Sequence, residues 1–165
     1  TGEVMKLCKS YRSTCEITDL AQKIRKNTDL EPVARHGEKP KVLQFNNEKE
    51  ELSAIKELIA TYQASAYKSL GIVCKTESQA CEMADKLQIP DIHFLSNQSS
   101  AFVQGIVIIS AHMAKGLEFD EVIIPQVDDR NYHSEIDRSM LYVAVTRAMH
   151  RLTLTYSGTK HTPFI

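Results

Sequence analysis

Gly105-Ile106-Val107-Ile108-Ile109 is the most continuous apolar run in the chain, and no polar residue alternates within it. A strand that faces solvent on one side reads apolar-polar-apolar. A strand without alternation is covered on both faces, as in the interior of a parallel sheet flanked by helices. Val122-Ile123-Ile124 has the same character, and Leu152 to Tyr156 and Leu70 to Lys75 are further strand candidates.

Working outward from this run, amphipathic segments separate the strands, and several open on a capping signature. Ser13 with Glu16 reads as a capping box ahead of Ile17, Leu20, Ala21 and Ile24, predicting a helix that ends near Asn27. Glu31 to Pro40, with Pro32, Gly37 and Pro40, reads as a loop, and Lys41 to Phe45 as a strand. Asn47 with Glu50 starts a helix reaching about Tyr62, and Thr76 with Gln79 starts another ending at Leu87, ahead of Pro90. Val4 to Leu7 and Ile92 to Leu95 read as short strands, and Glu135 to Ala148 as the last helix. Alternating strands and helices imply right-handed βαβ crossovers and an α/β fold. Neither repeat nor linker interrupts the pattern, so residues 1–165 are expected to form one domain.

Composition narrows the function classes. Lys plus Arg number 20 against 21 Asp plus Glu, a net charge of −1, so any nucleic-acid contact must be local rather than spread over a basic surface. No apolar run approaches the roughly 20 residues of a membrane-spanning helix, and TGEVMKLCKS lacks a signal-peptide core. The expectation is a cytoplasmic protein without a membrane partner. Cys8, Cys15, Cys74 and Cys81 fall in pairs seven apart, which is not zinc-ligand spacing, and they read as reduced thiols. Asp128 and Asp129 near His133 read as a solvated loop rather than a metal site, and no metal ligands are expected.

In an open parallel sheet, ligands sit beyond the carboxyl ends of the strands, which draws attention to the segments expected there. They are Tyr11-Arg12-Ser13, then Ser110-Ala111-His112-Met113-Ala114-Lys115-Gly116-Leu117-Glu118-Phe119, then Leu141-Tyr142-Val143-Ala144-Val145-Thr146-Arg147-Ala148. Taken singly each has an ordinary explanation. An arginine at a helix start is commonly solvated, one at a helix C-terminus complements the dipole, and Lys115-Gly116 suits a turn.

Their order changes the reading. ISAHMAKGLEFDEVII resembles the fifth motif of the Rep/UvrD-type superfamily 1 helicases, SEIDRSMLYVAVTRAMHRLTLTY resembles the sixth, and LCKSYRST resembles the fourth. The three occur in family order and reach from the beginning of the chain almost to its end. The resemblance implies a RecA-like three-layer α/β sandwich with a mostly parallel sheet, the second motor domain of a P-loop NTPase helicase. It implies that Arg12 and Arg147 are arginine fingers, bidentate forks for the charge that develops on a transferring γ-phosphoryl group. It places Tyr11 on the adenine, Glu118 on the ribose hydroxyls, Lys115 with Gly116 near the phosphates or their loop, and Ser110 and His112 on single-stranded DNA.

Departures from the family pattern are equally informative. The chain has no G-x-x-x-x-G-K-[ST] loop and no acidic strand end for magnesium, so ATP and Mg2+ would be held by a first RecA-like domain of the same polypeptide. Alone, the chain is expected not to hydrolyse ATP. The family's large inserted subdomain is also absent, because only about a hundred residues separate Arg12 from Lys115. That reduced plan is similar to the helicase IV-like and RNA-polymerase-associated branch, which makes RNA polymerase a candidate partner. The alternative function is a motor-fold docking module of such a complex, with little or no unwinding.

Overall fold

The computed structural model describes residues 13–26, 35–89, 92–94 and 105–165. Tyr11, Arg12 and the strand expected at Val4–Leu7 lie outside the described residues. In chain order the elements are α1 (Cys15–Ile24), β1 (Lys41–Phe45), α2 (Glu48–Gln63), β2 (Ser69–Cys74), α3 (Glu77–Leu87) and β3 (Ile92–Phe94). They continue with β4 (Gly105–Ser110), β5 (Phe119–Ile124), α4 (Glu135–Thr146) and β6 (Ala148–Ser157). The six strands form one sheet in the order β1-β6-β5-β2-β4-β3, and every neighbouring pair is parallel.

Both faces of the sheet are covered, as the unbroken apolar runs require. In β2, Leu70 and Ile72 turn to the layer of α2 and α3, where they meet Ile55, Ile59, Met83 and Leu87. Val73 turns the other way with Val107, Ile109, Val122, Ile124, Leu152 and Leu154, against Ile17, Ala21 and Ile24 of α1 and Leu141, Ala144 and Val145 of α4. All six residues of β2 are buried. The result is a three-layer α/β sandwich with its core split between the two faces.

Three helix starts follow their capping chemistry. The Asn47 side chain accepts from the Glu50 N–H at 2.9 Å, and the Thr76 side chain accepts from the Gln79 N–H at 3.1 Å. Ser134 and Asp137 form a reciprocal capping box at α4. The box expected at Ser13 and Glu16 does not form. The N-cap of α1 is Thr14, and its side chain makes no capping bond. Ser13 Oγ instead donates to the Ala148 carbonyl at 2.6 Å, and Glu16 accepts from the Gly37 N–H at 2.9 Å and contacts His36 Nδ1 at 2.9 Å. Partners distant in sequence outcompete the local cap. The last helix also ends at Thr146 rather than Ala148, because Ala148 already opens β6.

The connection from β4 to β5 is the unusual part. Both strands flank β2, so the chain must leave the carboxyl end of β4, pass over β2 and return to the amino end of β5. Parallel connections ordinarily take a dozen or more residues, commonly as a helix. Here residues 111–118 suffice, wound into turns closed by the Ala114 N–H to the Ser110 carbonyl and the Leu117 N–H to the Ala114 carbonyl, each 3.0 Å. Ala111, Ala114 and Leu117, three residues apart, are buried and stand in for a helix on that face. Gly116 supplies the φ of +83° that turns the segment toward β5.

Close passage over the sheet also dictates Gly71 in β2. A Cβ there would lie 2.6 Å from Cδ2 of Phe119, a ring that is itself fully buried and cannot swing away. Gly71→Ala should therefore destabilise the domain by about 1–3 kcal/mol, the cost of overpacking a filled core. Chemical denaturation of the two proteins, compared at equal m-value, checks this; an unchanged midpoint would show that Phe119 has room to move.

Candidate functional site

The short crossover distributes the motif residues between two ends of the sheet. Ser110 lies at the carboxyl end of β4, level with Cys74 of β2. Its Oγ accepts from the Met113 N–H at 3.3 Å and so helps start the turn, while the His112 side chain is exposed beside it. Lys75 and the N-terminus of α4 are at this same end. Lys75 Nζ reaches Asp137 Oδ1 at 2.9 Å, and Asp137 Oδ2 accepts from the His133 and Ser134 N–H groups, each at 3.1 Å. Burial pushes the Asp137 carboxyl up, but Lys75 and these N–H donors outweigh it, leaving the group well below the usual carboxylate range. Asp128 is likewise occupied, accepting from the Arg130 and Asn131 N–H groups at 3.1 and 2.9 Å. No group of three His, Cys, Asp or Glu among the described residues is arranged to hold a metal.

At the opposite end, Arg147 follows α4 and its carbonyl accepts from the Phe119 N–H at 2.9 Å, which fixes it at the amino end of β5. Its half-buried guanidinium donates from Nε to the Val143 carbonyl, from Nη1 to the Leu117 carbonyl and from Nη2 to Thr146 Oγ1, each at 3.2 Å. Burial pulls its pKa down, and the Glu118 carboxylate and Tyr142 act in the opposite direction. A guanidinium has five N–H donors. Three of them hold the head in place against the described residues. Ser13 is pinned to Ala148, and the Thr14 N–H donates to the Met149 carbonyl at 3.2 Å, so the residue after Arg12 sits beside the residue after Arg147. Lys115, Gly116 and Glu118 are exposed along the descending segment.

Sequence reasoning expected all three segments beyond the carboxyl ends of strands. That holds for Ser110 and His112. Arg147 and Glu118 are at the amino end, because α4 and the crossover both run against the strand direction and deliver their last residues there, and Ser13 is held at the same end by the Ala148 carbonyl.

A profile of UvrD-like helicase C-terminal domains matches residues 5–103 and 92–159. The chain belongs to that family. Among solved structures, the C-terminal domain of a possible DNA helicase from Lactobacillus plantarum WCFS1 superposes on this UvrD-like domain with a TM-score of 0.78. The two share 27% identity over 94% of this chain and 91% of that one. DNA helicase II of Escherichia coli K12 is 34% identical over 73 residues, 38% of this chain, and the Gabija protein GajB of Bacillus cereus VD045 is 41% identical over 58 residues, 35% of this chain. The chain spans about a tenth of the length of these curated relatives. The arterivirus nonstructural protein 10 helicase shares the fold at a TM-score of 0.51 with 12% identity.

One polar cluster of the UvrD-like domain escaped sequence reading. Glu121 in β5 is fully buried, and its Oε1 accepts from Arg151 Nη1 at 3.1 Å while Oε2 has no partner among the described residues. Arg151 also donates to Glu38 at 3.1 Å and lies 4.8 Å above the Tyr67 ring, which stacks on His150 at 5.6 Å; His150 Nε2 is 3.9 Å from Asp120. The pairing between β5 and β6 shifts register between Phe119 and Glu121, just where these side chains emerge. The available signal was a carboxylate inside an apolar strand, Glu121 ahead of Val122-Ile123-Ile124.

Burial raises the Glu121 carboxyl to about 7; Arg151 opposes the rise and Glu38 adds to it. A carboxyl raised above its unfolded value favours the fold while protonated. Its contribution is complete below about pH 4.5 and lost as the pH rises through about 7. Glu121→Gln should flatten that decline and exceed the parent in stability at pH 8 by about 2 kcal/mol. Urea unfolding at pH 5 and pH 8 measures it; parallel profiles for the two proteins would mean that Glu121 is already ionised throughout.

Proposed function

We propose that this domain is the second motor domain of an ATP-dependent DNA helicase or translocase, completing a nucleotide site whose phosphate-binding loop belongs to a first RecA-like domain. One observation carries the reading: a single eight-residue segment links the Ser110 and His112 end of the sheet to the end where Arg147 and Glu118 meet. A motor needs such a link, because nucleotide chemistry at one site must alter grip at another.

In this reading Arg147 and Arg12 reach the γ-phosphoryl group from the second domain when the two domains close. The remaining N–H donors of Arg147 suit phosphate oxygens, and its anchorage to Val143, Leu117 and Thr146 lowers the ordering cost of presenting them. Glu118 accepts from the ribose hydroxyls, Tyr11 stacks on the adenine, and Lys115 with Gly116 supports the phosphates or their loop. Mg2+ belongs with the first domain, since Asp128 and Asp137 are already saturated by N–H and ammonium donors. Single-stranded DNA crosses the carboxyl end of the sheet, contacted by the Ser110 hydroxyl and the His112 imidazole without sequence readout. The isolated domain is inactive as an ATPase.

The test is ATP hydrolysis by the full-length parent protein, with and without single-stranded DNA. Arg12→Ala and Arg147→Ala should each lower turnover by about a thousandfold, the scale of a lost arginine finger. Hydrolysis indifferent to both substitutions would leave the domain as a docking module of a larger assembly, RNA polymerase among the candidates.

A further inference from the structure

Between Phe119 and Glu121, β5 has one residue, whereas between their partners Ala148 and Arg151, β6 has two, Met149 and His150. The extra residue makes a β-bulge, which interrupts the ladder and frees backbone groups to bond elsewhere. Here they bond to the start of α1. The Ala148 carbonyl accepts from Ser13 Oγ at 2.6 Å, and the Met149 carbonyl accepts from the Thr14 N–H at 3.2 Å. Gly37 is pressed onto the same place, since a Cβ on it would lie 2.8 Å from Thr14 Cγ2 and 3.6 Å from the His150 carbonyl oxygen. In sequence Ala148 follows Arg147 and Ser13 follows Arg12, so one bulge joins the anchor points of both motif arginines.

A bulge needs side chains to hold its register, because the ladder there is broken. They lie on the face covered by α2 and α3, the face that Glu121 shares with Ile123. Arg151 donates from Nη1 to Glu121 Oε1 and from Nε to Glu38, each at 3.1 Å, and its guanidinium lies 4.8 Å above the Tyr67 ring. His150, within the bulge, stacks on that ring at 5.6 Å and is 3.9 Å from Asp120, the β5 residue opposite the bulge. Asp120 in turn accepts from the Lys68 N–H at 2.8 Å and donates its own N–H to Ser69 Oγ at 2.9 Å, which ties it to the entry of β2. Sliding β6 by one residue would set His150 or Leu152 opposite Glu121 and strip a fully buried carboxylate of its cation. Breaking one partner from a buried pair is costly, so the pair specifies a single register.

We infer that the Glu121–Arg151 pair is a positioning element of the nucleotide site: by fixing the bulge register it sets the spacing of the segments that present Arg12 and Arg147. The inference rests on the proposal that these two arginines serve ATP hydrolysis. Arg151 acts through the backbone of residues 147–149 and of Ser13 and Thr14 rather than by touching the nucleotide. A planar fork aimed at a phosphoryl group tolerates little displacement, and a misplacement of about 1 Å costs about a hundredfold in rate.

ATP hydrolysis by the full-length parent protein with saturating single-stranded DNA tests it. Arg151→Gln should lower kcat and kcat/KM together by about a hundredfold, the pattern of an interaction made only in the transition state. Arg151→Lys, which keeps the charge but not the fork, should recover part of that loss. In an Arg147→Ala background, Arg151→Gln should add less than about threefold, because groups that act as a unit are lost together. A lesion that merely lowered the folded fraction would multiply with Arg147→Ala instead, and if Arg151→Gln does not fold the same cycle is run with Arg151→Lys. Full turnover in the Arg151 variants, or a loss that persists undiminished in the Arg147→Ala background, overturns the positioning role while the arginine reading stands. Should Arg147→Ala itself leave turnover unchanged, both fall.

Discussion

Two parallel strands on either side of a third can be consecutive in the chain only if the intervening segment travels the full length of the sheet in reverse. Residues 111–118 do this with little to spare, and much of the domain is arranged around their passage. Ala111 and Ala114 are small so that the segment can press against β2, Leu117 seals its far end, and Gly71 clears space for the Phe119 ring that follows. The segment has no slack of its own, being closed by successive turn hydrogen bonds and fixed at both ends by strand pairing. It is also the stretch that carries one of the three motif resemblances, so the same residues solve a topological problem and supply the exposed His112, Lys115 and Glu118.

Arg147 shows how the fold makes use of that passage. Its guanidinium spans the end of α4 and the end of the crossover, donating to a carbonyl of each, so it joins two segments that reach the amino end of the sheet by different routes. Placing a permanently charged group in a half-buried position costs solvation, and the carbonyls of Val143 and Leu117 with the Glu118 charge offset it. At the other end, Lys75 and Asp137 perform a comparable junction between β2 and α4, again by ion pairing supported with backbone donors.

The fold was legible where local chemistry was decisive. Unalternated Ile106 to Ile109 announced two-sided burial, and Asn47 and Thr76 announced the helices they cap. Legibility ended where a polar group chose a distant partner. Ser13 looked like a cap but bonds to Ala148, 135 residues away. Glu51, which no sequence pattern singled out, is buried and accepts from the Gln126 N–H and the Thr155 hydroxyl. The strand read from Leu152 begins at Ala148, and its polar His150 and Arg151 find partners in Asp120, Tyr67 and Glu121. The motifs identified the residues of the candidate site, but the end of the sheet that each occupies depends on strand order, which no local pattern encodes.

The strand order also sets a schedule. β6 lies between β1 and β5, and among the described residues Lys41 to Phe45 pair with Thr153 to Ser157, more than a hundred residues along the chain. During synthesis β1 emerges more than a hundred residues before β6, its strand partner among the described residues, and the sheet cannot close until β6 inserts into its middle. Closure of the sheet therefore waits on β6, and until it arrives β1 and one side of β5 present unpaired edges. A nascent chain in that condition is a natural client for chaperones that cover exposed strand edges.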